Sequence, residues 1–469
     1  MQPILPVHPK HQPELDPGFL PAALWNRAYR GLVASDRASR PVILALAGEN
    51  GSLSTHHDRV LSKTHPASGL TLRYVERLLK FLLWQKGGFH VKIAGANEIA
   101  ARLMRIYNPG GERSFDAAFL GGQIYRHPFR IEACGFGEIP AEAEPALDLG
   151  RHLDGCRIGF DLGGSDRKAA AVVDGKVIHS EEIPWNPYFQ TDPMYHVNGV
   201  RDSLRRAAAH LPGVDAIGGS AAGTYVNNEV RAASLFRGVP REAFEKTIRR
   251  MFFTLREEWG GIPFEVVNDG EVTALAGSMW LRDGAVLGIS LGTSQAGGYV
   301  TPGGRMTRWL NELAFAPVDH RTDAPRDEWS GDAGCGVQYF SQQGAGRLAR
   351  AAGFGFPDDM PLAECLLGVQ AAMRKGDGRA AAVYRTIGAY LGYAVAHYAD
   401  FYEIRHLLLL GRVMSGDGGG IIIEKAHETL RDEFPVISER MRFSTPSETG
   451  KRHGQAVAAA SLPKSRTPS

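Results

Sequence analysis

Residues 158–168 read IGFDLGGSDRK, and this stretch decides the fold of the chain. A short apolar strand leads to Asp161, a turn of Gly163, Gly164 and Ser165, and then Lys168 at the start of a second apolar run. The pattern predicts a β-hairpin whose turn exposes backbone N–H groups with no side chains in the way. Such a turn suits the β- and γ-phosphates of a nucleotide, with Asp161 placed to hold the accompanying cation. A plain hairpin turn is the competing interpretation.

Length and composition describe an ordinary soluble, multidomain protein. The 469 residues exceed what one compact core usually holds, and 43% of them are hydrophobic. The formal net charge is only +2, so no electrostatic feature favours nucleic acid or an anionic membrane as a partner. The four cysteines are scattered and form no CxxC pair, which favours reduced thiols in the cytoplasm. The sequence shows no secretory signal and no apolar run long enough to span a bilayer.

Composition shifts along the chain predict four segments. Residues 1–40 are expected to be a flexible lead-in, and residues 41–150 a small N-terminal α/β module. The acidic, proline-containing stretch 141–150 is the candidate linker. Residues 151–265 and 266–469 then repeat an outline of glycine-turned hairpins and helices. We therefore predict an α/β protein with an internally duplicated, ATPase-like body of two lobes, plus the N-terminal module.

Two more glycine-rich turns follow strands downstream of the first. One contains Gly292, Thr293 and Ser294, whose hydroxyls and bare amides suit the same phosphates from the opposite lobe. The other lies at 411–420, where Gly411, Ser415 and Gly416 precede a predicted helix whose N-terminus suits a ribose or α-phosphate. Each turn alone is compatible with a simple loop. Their order in one chain predicts ATP binding.

Asn268 and Asp269 follow an apolar strand between the first and second of these turns. A carboxylate there, facing a phosphate cleft, suits the general base that takes a proton from an attacking hydroxyl. The structural alternative is an Asx turn that caps the next helix.

The ordered motifs resemble those of the ROK family (repressors, open reading frames and sugar kinases), over residues 157–461. The resemblance implies two ribonuclease-H-like lobes of the actin-like ATPase type that close on MgATP. It implies Asp269 as general base and Mg²⁺ held by Asp161 through water. It also implies a homodimer that phosphorylates a sugar or sugar-like polyol. By the same resemblance, the acceptor is contacted by Gly223 in the 218–224 stretch and by Ser234, Asn268 and Glu312.

Departures from the family pattern concern the acceptor site. Leu313, Ala314 and Phe315 follow Glu312 where the family commonly places Gly-His, and Cys335 stands where a cysteine cluster is usual. One thiol does not make a tetrahedral thiolate site, so we predict no structural zinc. The position of a second sugar-binding glutamate falls near Val337 or Gln338. The sequence therefore predicts nucleotide chemistry more firmly than it predicts a particular sugar.

Two alternatives to a kinase stay open at this point. The family includes sugar-sensing transcription regulators with an N-terminal winged helix, but residues 41–150 predict an α/β module without a basic recognition helix. The altered acceptor motifs also allow a catalytically weak protein that binds sugar or nucleotide.

Overall fold

The computed structural model describes residues 5–144, 147–445 and 448–465, with the side chains of 448–453 left out. Residues 145 and 146 of the predicted linker lie outside the described residues. The strands of the described chain are β1 (Arg40–Ala47), β2 (Leu53–Val60), β3 (His90–Ala94), β4 (Arg130–Cys134), β5 (Cys156–Leu162), β6 (Asp166–Val173), β7 (Lys176–Pro184), β8 (Ala216–Ala221), β9 (Thr224–Val226), β10 (Glu229–Ala232), β11 (Phe264–Asn268), β12 (Val286–Leu291), β13 (Gln295–Val300), β14 (His406–Leu410) and β15 (Arg442–Ser444).

Helices cover the sheets on their outer faces and connect them. The α-helices are α1 (Ala22–Ser35), α2 (Leu70–Lys86), α3 (Asn97–Ile106), α4 (Ser114–Ala117), α5 (Pro193–Ala208), α6 (Arg241–Ala243), α7 (Met251–Glu258), α8 (Asp269–Leu281), α9 (Gln342–Ala351), α10 (Leu362–Arg374), α11 (Gly378–Tyr398), α12 (Asp417–Glu433), α13 (Pro435–Arg440) and α14 (Glu448–Ala460). Among these, no helix is long and apolar enough to cross a membrane.

Lobe one is built on a five-stranded sheet with the order β11-β8-β5-β6-β7. β5, β6 and β7 form an antiparallel meander, while β8 and β11 add in parallel on the other side of β5. This is the strand order of a ribonuclease-H-like fold. The parallel strands β5, β8 and β11 end at the same edge of the sheet, so residues that follow them lie close together.

Lobe two repeats that plan on a smaller scale. Its sheet has the order β13-β12-β14-β15, with β12 and β13 antiparallel and β14 and β15 parallel to β12. The long helix α11 packs against α12, and aromatic residues such as Tyr384 and Tyr390 fill the core beneath them. The prediction of an α/β fold with two actin-like lobes is confirmed.

The N-terminal module is a four-stranded sheet of order β2-β1-β3-β4 with α2 packed on it. Helix α2 forms because Tyr74, Leu78 and Leu82 recur at helical spacing on one buried face. It ends at Gly87, whose φ of 85° is the left-handed backbone that favours glycine. The apolar core of the module continues into Phe315 and Cys335, so lobe two covers part of it.

The expectation that residues 1–40 form a flexible lead-in is not met in the described part of that segment. Residues 22–35 form α1, and its Trp25 and Tyr29 are fully buried against the module. Upstream of α1, Asp16 accepts two hydrogen bonds from Arg321 of lobe two, with Nη1–Oδ1 and Nη2–Oδ2 distances of 2.8 and 3.0 Å. The proline- and histidine-rich composition of the segment suggests flexibility, but Trp25 and Tyr29 bury enough apolar surface to order it.

The lobes also differ from the predicted segments 151–265 and 266–469. The boundary at 265 falls inside β11, which pairs with β8 in the sheet of lobe one. Helix α14 returns to lobe one and lies on β5 and β8, where Gly159 and Gly218 leave room for its backbone. A Cβ at Gly218 would lie 1.8 Å from the Ala459 carbonyl oxygen. Two glycines that the sequence offers as strand residues are therefore helix-packing positions.

Candidate functional site

Asp161 lies near the end of β5, directly opposite Ser220 of β8. The Ser220 hydroxyl donates a hydrogen bond of 2.7 Å to Asp161 Oδ1. Lys168 follows across the hairpin, with its Nζ 3.9 Å from Asp161 Oδ2 and 3.0 Å from Asp166 Oδ1. Burial raises the pKa of Asp161, while the Ser220 hydrogen bond and the Lys168 charge oppose that rise. The hairpin thus presents a carboxyl group and a cation next to its glycine turn.

Asp269 is the first residue of α8, at the end of β11. The preceding Asn268 caps this helix, since its Oδ1 accepts the Gly270 N–H at 2.7 Å and its Nδ2 donates to the Gly223 carbonyl at 2.7 Å. The helix cap, which is the structural alternative to a catalytic role for Asp269, is therefore formed mainly by Asn268. Burial, together with the negative charge of Asp161, raises the pKa of Asp269 to about 6. A carboxylate with that pKa is suited to accept protons near neutral pH.

Glu271 and Glu312 add carboxyl groups beside Asp269. Thr224 donates its hydroxyl to Glu312 Oε1 at 3.1 Å, and burial with the charge of Asp269 raises the pKa of Glu312 to about 7. Burial, with a smaller contribution from the charge of Glu312, raises the pKa of Glu271 to about 8. Near neutral pH Glu271 therefore carries a proton that it can donate to a ligand oxygen.

These side chains open into a cavity of about 390 Å³ where the module and both lobes meet. Lobe one contributes Thr224 and Asn268, and lobe two contributes Glu271 and Glu312. Further parts of the wall come from the β1–β2 turn of the module, from residues 147–149 and from the loop 307–310 of lobe two. The volume falls within the range of about 300–1,000 Å³ that is usual for small-molecule sites. We call this space the acceptor cavity.

The second and third glycine turns belong to lobe two and follow β12 and β14, which are adjacent parallel strands. Thr293, Ser294 and Ser415 are all exposed there. Burial raises the pKa of Asp166 in the first hairpin, but hydrogen bonds from Ser165 and Lys168 outweigh that effect and lower the pKa overall. The charge of Arg412, next to Gly411 in the third turn, also contributes to the lowering, so Arg412 lies close to the first hairpin. The fold therefore brings the first and third turns to opposite sides of one cleft.

Gly411 has the backbone most sensitive to substitution in this cleft. Its φ is 95°, and a Cβ there would lie 2.3 Å from the Leu291 carbonyl oxygen. We expect Gly411→Ala to lower the free energy of unfolding by about 1–3 kcal/mol and to weaken binding of an ATP analogue. Thermal unfolding and calorimetric titration measure these effects. Gly420→Ala is the matched control, because nothing lies within 4 Å of the added methyl group in α12. Equal stability of both variants would contradict the prediction.

The residues present fit a divalent cation with a nucleotide. Asp161 and Asp269 are two carboxyl groups close enough for the charge of one to raise the pKa of the other. Hard cations such as Mg²⁺ take oxygen ligands and keep several waters, which a pair of carboxyl groups at a cleft provides for. Gly163, Gly164 and Ser165 end the same hairpin, and a Cβ at Gly164 would lie 1.9 Å from the Tyr188 hydroxyl. A side chain at that point of the turn would therefore require Tyr188 to move.

The other predicted site residues separate into two groups. Gly223 meets Asn268 through its carbonyl, and Glu312 lines the acceptor cavity. Ser234 is exposed at the start of a 3-10 turn and lies outside the cavity lining, so its substrate role stays a prediction. Sequence reasoning missed Glu271, although Asn268 and Glu271 have the spacing of a capping box, which would have drawn attention to it. It also missed Glu49 and Asn50, which nothing in the sequence connects to Glu312.

Cys335, the single thiol where the family commonly has a cysteine cluster, is buried, and its Sγ lies 3.4 Å from Asp332 Oδ2. Its loop is held by ion pairs with the module. Asp332 forms salt bridges with Lys80 at 3.1 Å, with Arg77 at 3.4 Å and, at shorter range, with Arg113. Lys80 also binds Asp116 at 2.7 Å, and Arg113 binds Glu76 at 2.6 Å. We call these six residues the buried ionic cluster.

Comparison with solved structures establishes the fold. A ROK hexokinase from Thermus thermophilus superposes with a TM-score of 0.50 at 20% identity, covering 65% of this chain and 97% of that chain. A ROK family glucokinase from Streptomyces griseus, in complex with glucose and AMPPNP, gives 0.48 at 20% identity over 65% of this chain and 98% of its own. A ROK family transcriptional regulator, a homolog of the E. coli MLC protein, also gives 0.48 at 20% identity, over 66% and 78%. No family model and no curated protein matches the sequence. The chain therefore has the ROK fold, as the motif order predicts.

Proposed function

We propose that this protein is an ATP-dependent kinase that phosphorylates a hydroxyl group of a sugar or sugar-like polyol. The observation that supports this most directly is the position of Asp269. Its carboxyl group has a pKa raised to about 6 and lies close enough to interact electrostatically with Asp161 of the glycine-turned hairpin and with Glu312, which lines the acceptor cavity. A general base is needed at such a position, because the acceptor hydroxyl must lose a proton as it attacks phosphorus.

The chain's own residues perform the binding and proton steps of this mechanism. Glu312 and Glu271 bind acceptor hydroxyls and orient one of them towards Asp269. Asp269 Oδ1 accepts the Gly270 N–H at 3.0 Å, which leaves Oδ2 to receive the hydroxyl proton. The turns at 163–165, 292–294 and 411–416 bind the nucleotide through backbone amides and hydroxyls. Asp161 would hold Mg²⁺, which when bound would supply positive charge to offset the charge that develops on the transferred phosphoryl group.

The proposal is tested by a phosphoryl-transfer screen of the purified chain. ATP and Mg²⁺ are supplied with hexoses, amino sugars, N-acetylated sugars, disaccharides and cyclitols, and ADP production is followed. We expect acceptor-dependent ADP release well above the background without acceptor. ATP binding with no transfer to any acceptor would contradict a kinase and favour a binding protein.

Activity should fall in acid as Asp269 becomes protonated. A base is active when ionised, so kcat/KM should fall about tenfold per pH unit below the pKa of about 6. Because the charge of Asp161 contributes to that pKa, the acid limb should move to lower pH in the residual activity of Asp161→Asn. Rate profiles between pH 4.5 and 8 with a saturating nucleotide measure both effects. An acid limb near pH 4 in the unmodified protein would contradict this assignment.

A further inference from the structure

The N-terminal module forms part of the acceptor cavity as well as packing beside it. Its helix α2 ends with backbone carbonyl groups that lack partners within the helix. The Gln85 carbonyl accepts the Asn311 N–H at 3.0 Å, and the Trp84 carbonyl accepts the Glu312 N–H at 2.9 Å. The loop that carries Glu312 is therefore hydrogen-bonded to the module at the position of its acceptor-facing carboxyl group.

The β1–β2 turn of the module reaches the same cavity from the opposite wall. Glu49 and Asn50 line it together with Asn227 from the β9–β10 turn of lobe one. Asn50 Nδ2 donates to Asn227 Oδ1 at 3.2 Å, and Asn227 Nδ2 donates to Glu49 Oε2 at 3.2 Å. We call Glu49, Asn50 and Asn227 the polar clasp.

The clasp is positioned by charged neighbours from both lobes. Arg231 of lobe one lies 3.3 Å from Glu49 Oε1 and also donates to the Ile124 carbonyl of the module at 2.8 Å. Arg308 of lobe two donates to Asn227 Oδ1 at 3.4 Å. The module and both lobes thus meet at Asn227, through long hydrogen bonds at an exposed edge of the cavity.

Asn50 and Asn227 share an unusual backbone that makes their side chains informative. Their φ values are 57° and 51°, in the left-handed region where glycine is the least strained residue. Asparagine is also favoured at such turn positions, and here each side-chain amide makes a hydrogen bond outside its own turn, Asn50 to Asn227 and Asn227 to Glu49. Side-chain amides at a cavity mouth are donors and acceptors suited to hydroxyl groups.

We propose that the polar clasp selects the acceptor, by hydrogen-bonding polyhydroxylated groups at the end of the acceptor away from Asp269. This inference rests on the proposed kinase function for its reaction, but it concerns binding and extends to a part of the chain outside the ROK-like lobes. The clasp acts on acceptor affinity and leaves the chemical step to Asp269.

Asn50→Gly and Asn227→Gly test this, because glycine can adopt the left-handed backbone at both positions and each substitution removes the amide together with its hydrogen bonds in the clasp. For the best acceptor found in the screen, we expect KM to rise about tenfold or more, with kcat within twofold and KM for ATP unchanged. The order of preference among hexoses, N-acetylated sugars and disaccharides should change as well. His57→Ala is the matched control, since His57 is exposed on the same hairpin and lies outside the cavity lining.

The possible results distinguish this inference from the proposed function. Unchanged KM and unchanged acceptor preference in both variants would overturn the clasp while leaving the kinase intact. If the unmodified chain transfers no phosphate, calorimetric titration with the same sugars replaces the kinetic readout. Binding that weakens in the glycine variants would support the clasp although the kinase proposal fails. Absence of binding to every sugar in the screen would overturn both.

Discussion

Asp269→Asn is expected to reduce kcat by about 10²–10⁴-fold, the usual contribution of a general base. The substitution keeps the shape of the side chain and removes its ability to accept a proton. Asn268 continues to cap α8, so the helix and the cleft should keep their structure. Affinity for a non-hydrolysable ATP analogue should change by less than about twofold, because the turns that bind nucleotide are untouched. Initial rates and calorimetric titration measure the two quantities separately.

Asp283→Asn provides the matched control for that experiment. Asp283 lies outside the lining of the acceptor cavity and pairs with His406 and with Arg405, each at 2.9 Å. It therefore allows the same Asp-to-Asn change away from the proposed reaction. Its kcat should equal that of the unmodified protein. Substantial phosphoryl transfer by Asp269→Asn would remove Asp269 from the proposed mechanism.

Asp332→Asn is expected to lower the free energy of unfolding by about 3–5 kcal/mol, since it leaves the three cations of the buried ionic cluster with only two carboxylates, Glu76 and Asp116. Asp332 is 4% exposed and receives Arg77, Lys80 and Arg113. Burial alone would raise the pKa of Asp332. The charges of Lys80, Arg77 and Arg113 outweigh burial and hold that pKa well below its usual range. Urea unfolding followed by circular dichroism measures the loss.

The pH dependence of that loss has a definite sign. A carboxyl group with a lowered folded-state pKa stabilises the protein fully above its unfolded pKa of about 4, and this contribution is lost as the pH falls through the folded value. The difference in stability between the variant and the unmodified chain should therefore narrow in acid. Glu258→Gln is the control, because Glu258 makes a bidentate pair with Arg201 at 2.7 and 2.6 Å on the surface. It should cost about 1 kcal/mol or less, and an equal cost for both variants would contradict the role of burial.

The glycine turns that we propose bind phosphate could be placed in the fold from sequence because their signals are local. The turns at 163–165 and 292–294 follow apolar strands directly, and the same physics that makes them turns leaves their amides exposed. Asp269 was also predictable, as it follows a buried strand and begins a helix. For such elements the neighbours in sequence are the neighbours in space.

The acceptor side could not be predicted in the same way. Glu49 and Asn227 are separated by most of the module and half of lobe one, and their contact depends on how those bodies pack. Arg113 and Asp332 pair over a still longer separation, and nothing in either local sequence indicates a buried charge. The lead-in was mistaken for a flexible segment for a related reason: Trp25 and Tyr29 find their partners in α2.

Helix α14 carries a consequence for the biogenesis of this protein. It lies on the sheet face of lobe one at Gly159 and Gly218, yet nearly half of the chain separates it from β8. During synthesis, domains generally fold as units from the N-terminus onward. Lobe one departs from that order, because α14, which covers one face of its sheet, is synthesised only after lobe two. The two lobes should therefore reach their native state together, and a chain stopped before α14 should expose that apolar face to chaperones and proteases.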